Sequence, residues 1–145
     1  MPKTPPIDAT SARELENAAA FRTELRRFLH ATQSVAALET LTIERYDLLL
    51  MIKAAAVAGE ESTVTSLGER LHLRQQAVTE LVKRAVQAGL VVRERSSGDG
   101  RVSFLRLTPD GEARLMRVFQ TLREDRAAFG EAFERLGTQF HAATH

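Results

Sequence analysis

The sequence contains no cysteine among its 145 residues. This absence excludes disulfide frameworks, cysteine-ligated zinc and thiol-based redox switches. Long hydrophobic runs are missing too, because Lys53 separates the longest apolar stretches, 48–52 and 54–58. A membrane-spanning helix needs about 20 apolar residues, so we expect none in this chain.

An excess of charge of one sign is also lacking, since 20 basic and 19 acidic residues give a formal net charge of +1. Proteins that bind nucleic acids usually carry a basic excess. Residues 62–107, however, hold eight basic and four acidic residues, whereas the rest of the chain holds 12 basic and 15 acidic ones. The near-neutral total therefore combines a basic central segment with mildly acidic flanks, and DNA stays open as a partner.

Hydrophobic residues make up 43% of the chain, which is typical of a globular domain. The N-terminal segment MPKTPPIDAT carries three prolines and an aspartate where a secretory signal would have an apolar core. We therefore expect a flexible lead over residues 1–9, one unit over 10–145 and a cytoplasmic location.

Both ends of this unit show helical periodicity. Ser11 and Glu14 fit a capping box, and the apolar residues that follow recur at helical steps over about 25 residues. A phenylalanine-rich pattern occupies the C-terminal end, where Gly130 is a candidate break between two helices. Both patterns are longer than one small lobe needs for its own core.

Between these ends, the sequence predicts three helices. Thr42 is a good N-cap for a helix that ends before Gly59 and buries Ile43, Tyr46, Leu49 and Leu50. Ser66 and Glu69 predict the start of a short helix. The third helix is expected over Gln75–Ala88, with Gly89 at its end.

A β-hairpin is predicted next, because VVRER and RVSFLRL flank the turn-rich residues 96–100. Thr108 and Pro109 then predict the start of another helix. Two short helices followed by a hairpin are typical of a winged helix-turn-helix, whose second helix enters a DNA major groove. The predicted fold class is therefore mainly α with a small β-hairpin wing.

The helix over 75–88 separates its side chains into two faces. The polar face has the groups needed to read bases, since glutamine pairs with adenine and lysine with guanine or phosphate. Arginines of the hairpin can enter a narrow minor groove. The polar face holds Gln75, Gln76, Thr79, Glu80 and Lys83, the apolar face Ala77, Val78, Leu81, Val82 and Ala85, and the hairpin Arg93, Arg95, Arg101 and Arg106.

Five segments together resemble the MarR family of dimeric winged-helix transcription regulators. They are LTIERYDLL (41–49), SLGERLHL (66–73), VTELVKRAVQAGLVVR (78–93), Asp99-Gly100-Arg101 and Leu107-Thr108-Pro109-Asp110-Gly111. The combination of GLV-x-R, D-x-R and LT-x-x-G is the most specific part. Four positions depart from the family pattern: Arg74 replaces a frequent serine-like cap, Lys83 a frequent aspartate, and Ala85-Val86 a more usual Leu-Glu pair.

The resemblance implies a homodimeric repressor that binds a pseudo-palindromic operator in double-stranded DNA. The winged lobe would span 42–111, and helices in 10–38 and 112–145 would form the dimer, although the same residues could instead form a monomeric core. The implied DNA-binding residues are Arg74, Gln75, Gln76, Thr79, Lys83, Arg95 and Arg101, and the implied dimer residues are Leu15, Phe21, Leu25, Phe129, Phe133, Leu136 and Phe140.

Many similar proteins also respond to small aromatic acids, and by resemblance Phe28, His30, Arg45 and Tyr46 are candidates for lining an effector cleft. We expect no catalytic site, cofactor or metal site, since no acid–base or nucleophile set is evident and His141 with His145 lacks further ligands. The alternative function is a protein-interaction or ligand-sensing module without operator binding. Glu80 on the polar face favours that alternative, because a carboxylate repels phosphates.

Overall fold

A computed structural model describes residues 1–95, 98 and 100–144 of the chain. In these residues, six helices and a two-stranded antiparallel hairpin confirm the predicted fold class. The sequence-predicted Asp99 and His145 lie outside the described residues. The elements in chain order are α1 (Ala9–Leu38), α2 (Ile43–Val57), α3 (Val64–Leu71), α4 (Gln75–Gln87), β1 (Val91–Arg95), β2 (Ser103–Leu107), α5 (Pro109–Thr121) and α6 (Arg123–Ala143).

The chain forms two compact units, which we call the helical unit (residues 1–32 and 122–145) and the winged unit (33–121). The C-terminal helices are separated at Leu122, and the predicted break at Gly130 is wrong. A glycine inside a helix costs only about 1 kcal/mol relative to alanine, which is too little to end a long helix. Gly130 therefore lies within α6, with open space around the position of an added Cβ.

Two helix starts differ from those predicted. Asp8 caps α1, because its Oδ1 accepts a 2.8 Å hydrogen bond from the Ser11 amide, and Ser11 lies inside the helix. Thr63 caps α3 and forms a reciprocal capping box with Ser66. In both cases the predicted cap is the third residue of the helix. The observed helix therefore begins about one turn earlier in the sequence than predicted.

The core of the winged unit is built around α2. Thr42 caps this helix as predicted, since its hydroxyl accepts from the Arg45 amide. Leu48 and Leu49 are fully buried, whereas Ile43 and Leu50 are only half-buried. Both α4 and α5 bring further buried side chains to this core: Val78, Val82, Leu115 and Val118.

The hairpin is joined to α5 by a close contact between two backbones. A Cβ at Gly111 would overlap the carbonyl oxygen of Leu90 and lie 3.0 Å from its carbonyl carbon. Thr108 holds this contact from the other side, because its hydroxyl donates to the Gly89 carbonyl at 2.6 Å and accepts from the Gly111 amide at 3.0 Å. The Thr108 amide also donates to the Leu90 carbonyl at 3.0 Å. The GLV and LT-x-x-G segments are thus two halves of one junction.

We expect Gly111→Ala to destabilise the protein by about 1–3 kcal/mol, the usual cost of forcing extra atoms into a packed site. Gly130→Ala is the matched control, and it should stabilise the protein by up to about 1 kcal/mol because its Cβ meets open space. Urea denaturation of the three proteins measures both effects. An unchanged midpoint for Gly111→Ala would show that the junction adjusts without cost.

Candidate nucleic-acid interface

The connection between α3 and α4 forms a tight helix-turn-helix. His72 ends α3 in the left-handed conformation with φ 54°, and the Leu73 amide donates to the Gly68 carbonyl at 3.0 Å. A Cβ on Gly68 would lie 3.0 Å from the Leu73 carbonyl oxygen, so the turn leaves little room for a larger residue. Arg74 then occupies the N-cap of α4 without a side-chain capping bond. Its exposed guanidinium stands at the start of α4.

The faces of α4 are close to those predicted. Val78, Val82 and Ala85 are completely buried. Ala77 departs from the prediction, since it is exposed, and a methyl group at the edge of the apolar face loses little by contact with water. The opposite face is exposed along its whole length and carries Gln75, Gln76, Thr79, Glu80, Lys83, Arg84 and Gln87.

The hairpin pairs in the register Val91↔Leu107 to Arg95↔Ser103. Since strand side chains alternate between faces, Arg93 and Arg95 lie on one face of the hairpin and Glu94 on the other. Arg93 and Arg95 are exposed. Arg101 is also exposed and lies two residues before β2 begins.

Two carboxylates hold the guanidinium of Arg106. It forms one ion pair with Glu94 across the hairpin and another with Glu61, at 3.0 Å, from the segment before α3. Hydrogen bonds to Glu94 and to Glu61 raise the pKa of the Arg106 guanidinium above its usual value. We call these three residues the Arg106 network.

The Arg106 network lies beside a backbone link between the same segments. Ser62 is buried, and its carbonyl accepts a 2.9 Å hydrogen bond from the amide of Leu105 in β2, which forms an isolated antiparallel bridge between the two residues. The network thus joins the segment before α3 to both strands of the wing. Sequence reasoning grouped Arg106 with the other basic residues, since its partners lie 12 and 45 residues away along the chain.

A groove of about 390 Å³ runs between the start of α2 and the exposed side of α4. Arg45 lines this groove from α2, and Arg84 lines it from α4. Sequence reasoning missed Arg84, although its place one residue after Lys83 puts it at the edge of the polar face. The other lining residues are Thr42, Glu44, Leu73, Ala77, Glu80 and Leu81.

The helical unit brings the predicted dimer residues of α1 and α6 together. Phe21 contacts Phe133 and Phe140 with ring centroids 5.8 and 5.9 Å apart. Phe129 contacts Phe133 at 6.2 Å and stacks on Phe28 at 5.0 Å. Leu136 is buried, Leu25 is half-buried, and Leu15 is exposed.

The residues predicted to line an effector cleft have different surroundings. Phe28 stacks within the helical unit, where His30 is exposed. Tyr46 is buried in the winged unit. Near it on α2, Asp47 is half-buried, and burial together with the neighbouring Glu44 raises the pKa of its carboxyl group.

The described residues contain no cluster of three or more histidine, cysteine or acidic side chains that could hold a metal ion. Within the same residues, no helix combines the length and apolarity needed to cross a membrane. The exposed polar face of α4, the tight turn before it and the hairpin after it define the site as that of a winged helix-turn-helix protein.

Comparisons with known proteins agree with this class. Residues 40–102 match the MarR family model. An organic hydroperoxide resistance transcriptional regulator of Bacillus subtilis (strain 168) is 42% identical over 52 residues, which is 36% of this chain and 35% of that protein. The matched segment thus spans about a third of the curated relative.

Solved structures are similar in fold over most of the chain. A MarR family transcription regulator superposes with a TM-score of 0.73 at 22% identity, covering 92% of this chain and 87% of the other. A mutant MarR from E. coli, solved with operator DNA, gives a TM-score of 0.65 at 19% identity over 92% and 87% of the two chains. The chain therefore has the fold of a winged helix-turn-helix protein, and its residues 40–102 are similar to the MarR family.

We expect Arg106→Gln to loosen the base of the wing, because Glu61 and Glu94 lose their shared cation. Hydrogen exchange at the Leu105 amide, which bonds to Ser62, should become faster. Arg93→Gln removes the same charge from the other face of the hairpin and should leave this exchange rate unchanged. Equal rates in all three proteins would show that the network does not hold the wing.

Proposed function

We propose that this protein is a homodimeric transcription regulator that binds a specific operator in double-stranded DNA. One observation carries the proposal: α4 buries Val78, Val82 and Ala85 of its apolar face and exposes a polar face that begins at Gln75. A helix exposed in this way beside a hairpin has the shape that fits a major groove. The E. coli MarR mutant of similar fold was solved with operator DNA.

The exposed side chains of α4 suit the reading of base edges. Gln75 and Gln76 can each pair with adenine through both amide groups, and the Thr79 methyl can contact a thymine methyl. Lys83 can bind guanine or a phosphate. These contacts supply sequence preference, whereas phosphate contacts fix the position of the protein on the duplex.

We expect the arginines around α4 to contact phosphates and the minor groove. Arg74 stands at the N-cap, Arg95 ends β1, and Arg101 lies exposed near the start of β2. Arginine in a narrow minor groove gains from the enhanced negative potential there. Much of the affinity should therefore depend on salt concentration.

The helical unit supports dimer formation by two copies of this chain. Leu15 is 57% exposed, Leu29 42% and Phe133 53%, so the single chain leaves large apolar side chains in water on both helices. Exposed apolar surface of this kind is typical of an interaction site. A two-fold dimer through the helices of 10–38 and 112–145 would set two winged lobes (42–111) about one DNA turn apart, which requires a pseudo-palindromic operator.

We further propose that the protein represses transcription and that a small aromatic ligand releases it from the operator. Both parts of this proposal rest on the family resemblance. The Phe28, His30, Arg45 and Tyr46 side chains are the positions to substitute once an effector is found. A second candidate function, a protein-interaction module without operator binding, is favoured by one observation: Glu80 is exposed on the polar face of α4.

Selection of bound duplexes from a random pool tests DNA recognition. The wild type should enrich a palindromic consensus, and Arg101→Ala should bind that consensus about 1–3 kcal/mol more weakly at fixed salt. Arg123→Ala, an exposed arginine at the start of α6, is the matched control and should bind normally. No enrichment with the wild type would reject operator binding in favour of the interaction module.

Substitutions on the helical unit test the dimer. Leu15→Glu and Phe133→Glu should each convert the dimer to monomer, because a charge would be buried at the interface without a partner. Gln139→Glu adds the same charge at an exposed polar position and should leave the dimer intact. Light scattering gives the mass, and circular dichroism confirms folding. Folded dimers of both Leu15→Glu and Phe133→Glu would contradict this interface.

A further inference from the structure

The outermost stripe of α4 contains one acidic residue. Glu80 lies about 200° around the helix from the buried Val78 and Val82, so its side chain points almost directly away from the core. Gln76 is one turn before it on the same stripe, and Lys83 is one turn after it. A helix placed in a groove by its polar face would present Glu80 at the centre of the contact.

This carboxylate is unpaired within the described residues. Lys83 and Arg84 are spaced for pairing with Glu80 on the helix, but neither forms an ion pair with it. The Arg106 network differs in this respect, since there each carboxylate contacts a guanidinium. Glu80 is exposed and has an unused pair of acceptor oxygens facing the proposed DNA surface.

A carboxylate near DNA is unfavourable unless it accepts hydrogen bonds, because the phosphates repel it. In the major groove, the partner that matches a glutamate is the exocyclic N4 amine of cytosine, a donor. Lys83, one turn further along the stripe, matches the acceptors O6 and N7 of guanine. A G·C pair offers both sets of groups at the same level of the groove.

We propose that Glu80 is a specificity-determining residue that accepts a hydrogen bond from the N4 amine of one cytosine in each operator half-site. This inference rests on the proposed operator binding and adds a chemical prediction for one base. Glu80 also disfavours binding elsewhere, because at a site without that cytosine its charge faces the groove without a donor. The residue thus contributes to selectivity by attraction at one base and by repulsion at others.

Random-pool selection with Glu80→Gln tests this inference, since the amide keeps the size of the side chain and removes its charge. The wild-type consensus should contain an invariant cytosine in each half-site, and the variant should lose it or replace it with adenine, the base that glutamine pairs with. Affinity for the wild-type consensus should fall about ten-fold or more, whereas affinity for unrelated duplexes should rise.

Glu69→Gln is the matched control, because it removes an exposed carboxylate from α3 in the same winged unit. It should keep the wild-type consensus. If Glu80→Gln keeps the cytosine, or tightens binding to all duplexes equally, Glu80 does not read a base and the inference is wrong while operator binding stands. If the wild type enriches no sequence, operator binding itself fails, and this inference fails with it.

Discussion

The winged unit depends on the contact of the Gly111 backbone with the Leu90 carbonyl. This contact fixes the start of α5 against the end of α4 and the start of β1, and Thr108 locks it by hydrogen bonds to both sides. Since β1 follows Leu90 directly and β2 ends just before Thr108, both ends of the hairpin are set at this one point. The wing is therefore held in a fixed position relative to the exposed face of α4.

Most elements of the fold could be predicted from the sequence, because local rules determine them. Periodicity predicted the faces of α4, and Thr42 and Gly89 predicted where helices begin and end. The exceptions are helix ends at which local rules allow more than one position. Asp8 and Thr63 each lie three residues before another good cap, and Leu122 separates α5 from α6 without any side-chain capping bond.

The sequence predicted those parts of the candidate site that depend only on residue type and on position along a helix. The exposed polar side chains of α4 follow from the helical period alone. The pairing of Arg106 with Glu61, and the groove shared by Arg45 and Arg84, depend on contacts between segments far apart in sequence. A count of basic residues cannot separate a cation that is already bound by carboxylates from one that is available to a phosphate.

The Arg106 network has a consequence for how this protein responds to salt. Its charged groups are well exposed, and ions screen exposed pairs over a distance of about 8 Å at physiological ionic strength. Added salt therefore weakens the support of the wing as well as any contact of the wing with a phosphate. The salt dependence of the proposed DNA binding would therefore combine two effects, weaker phosphate contacts and a less firmly supported wing.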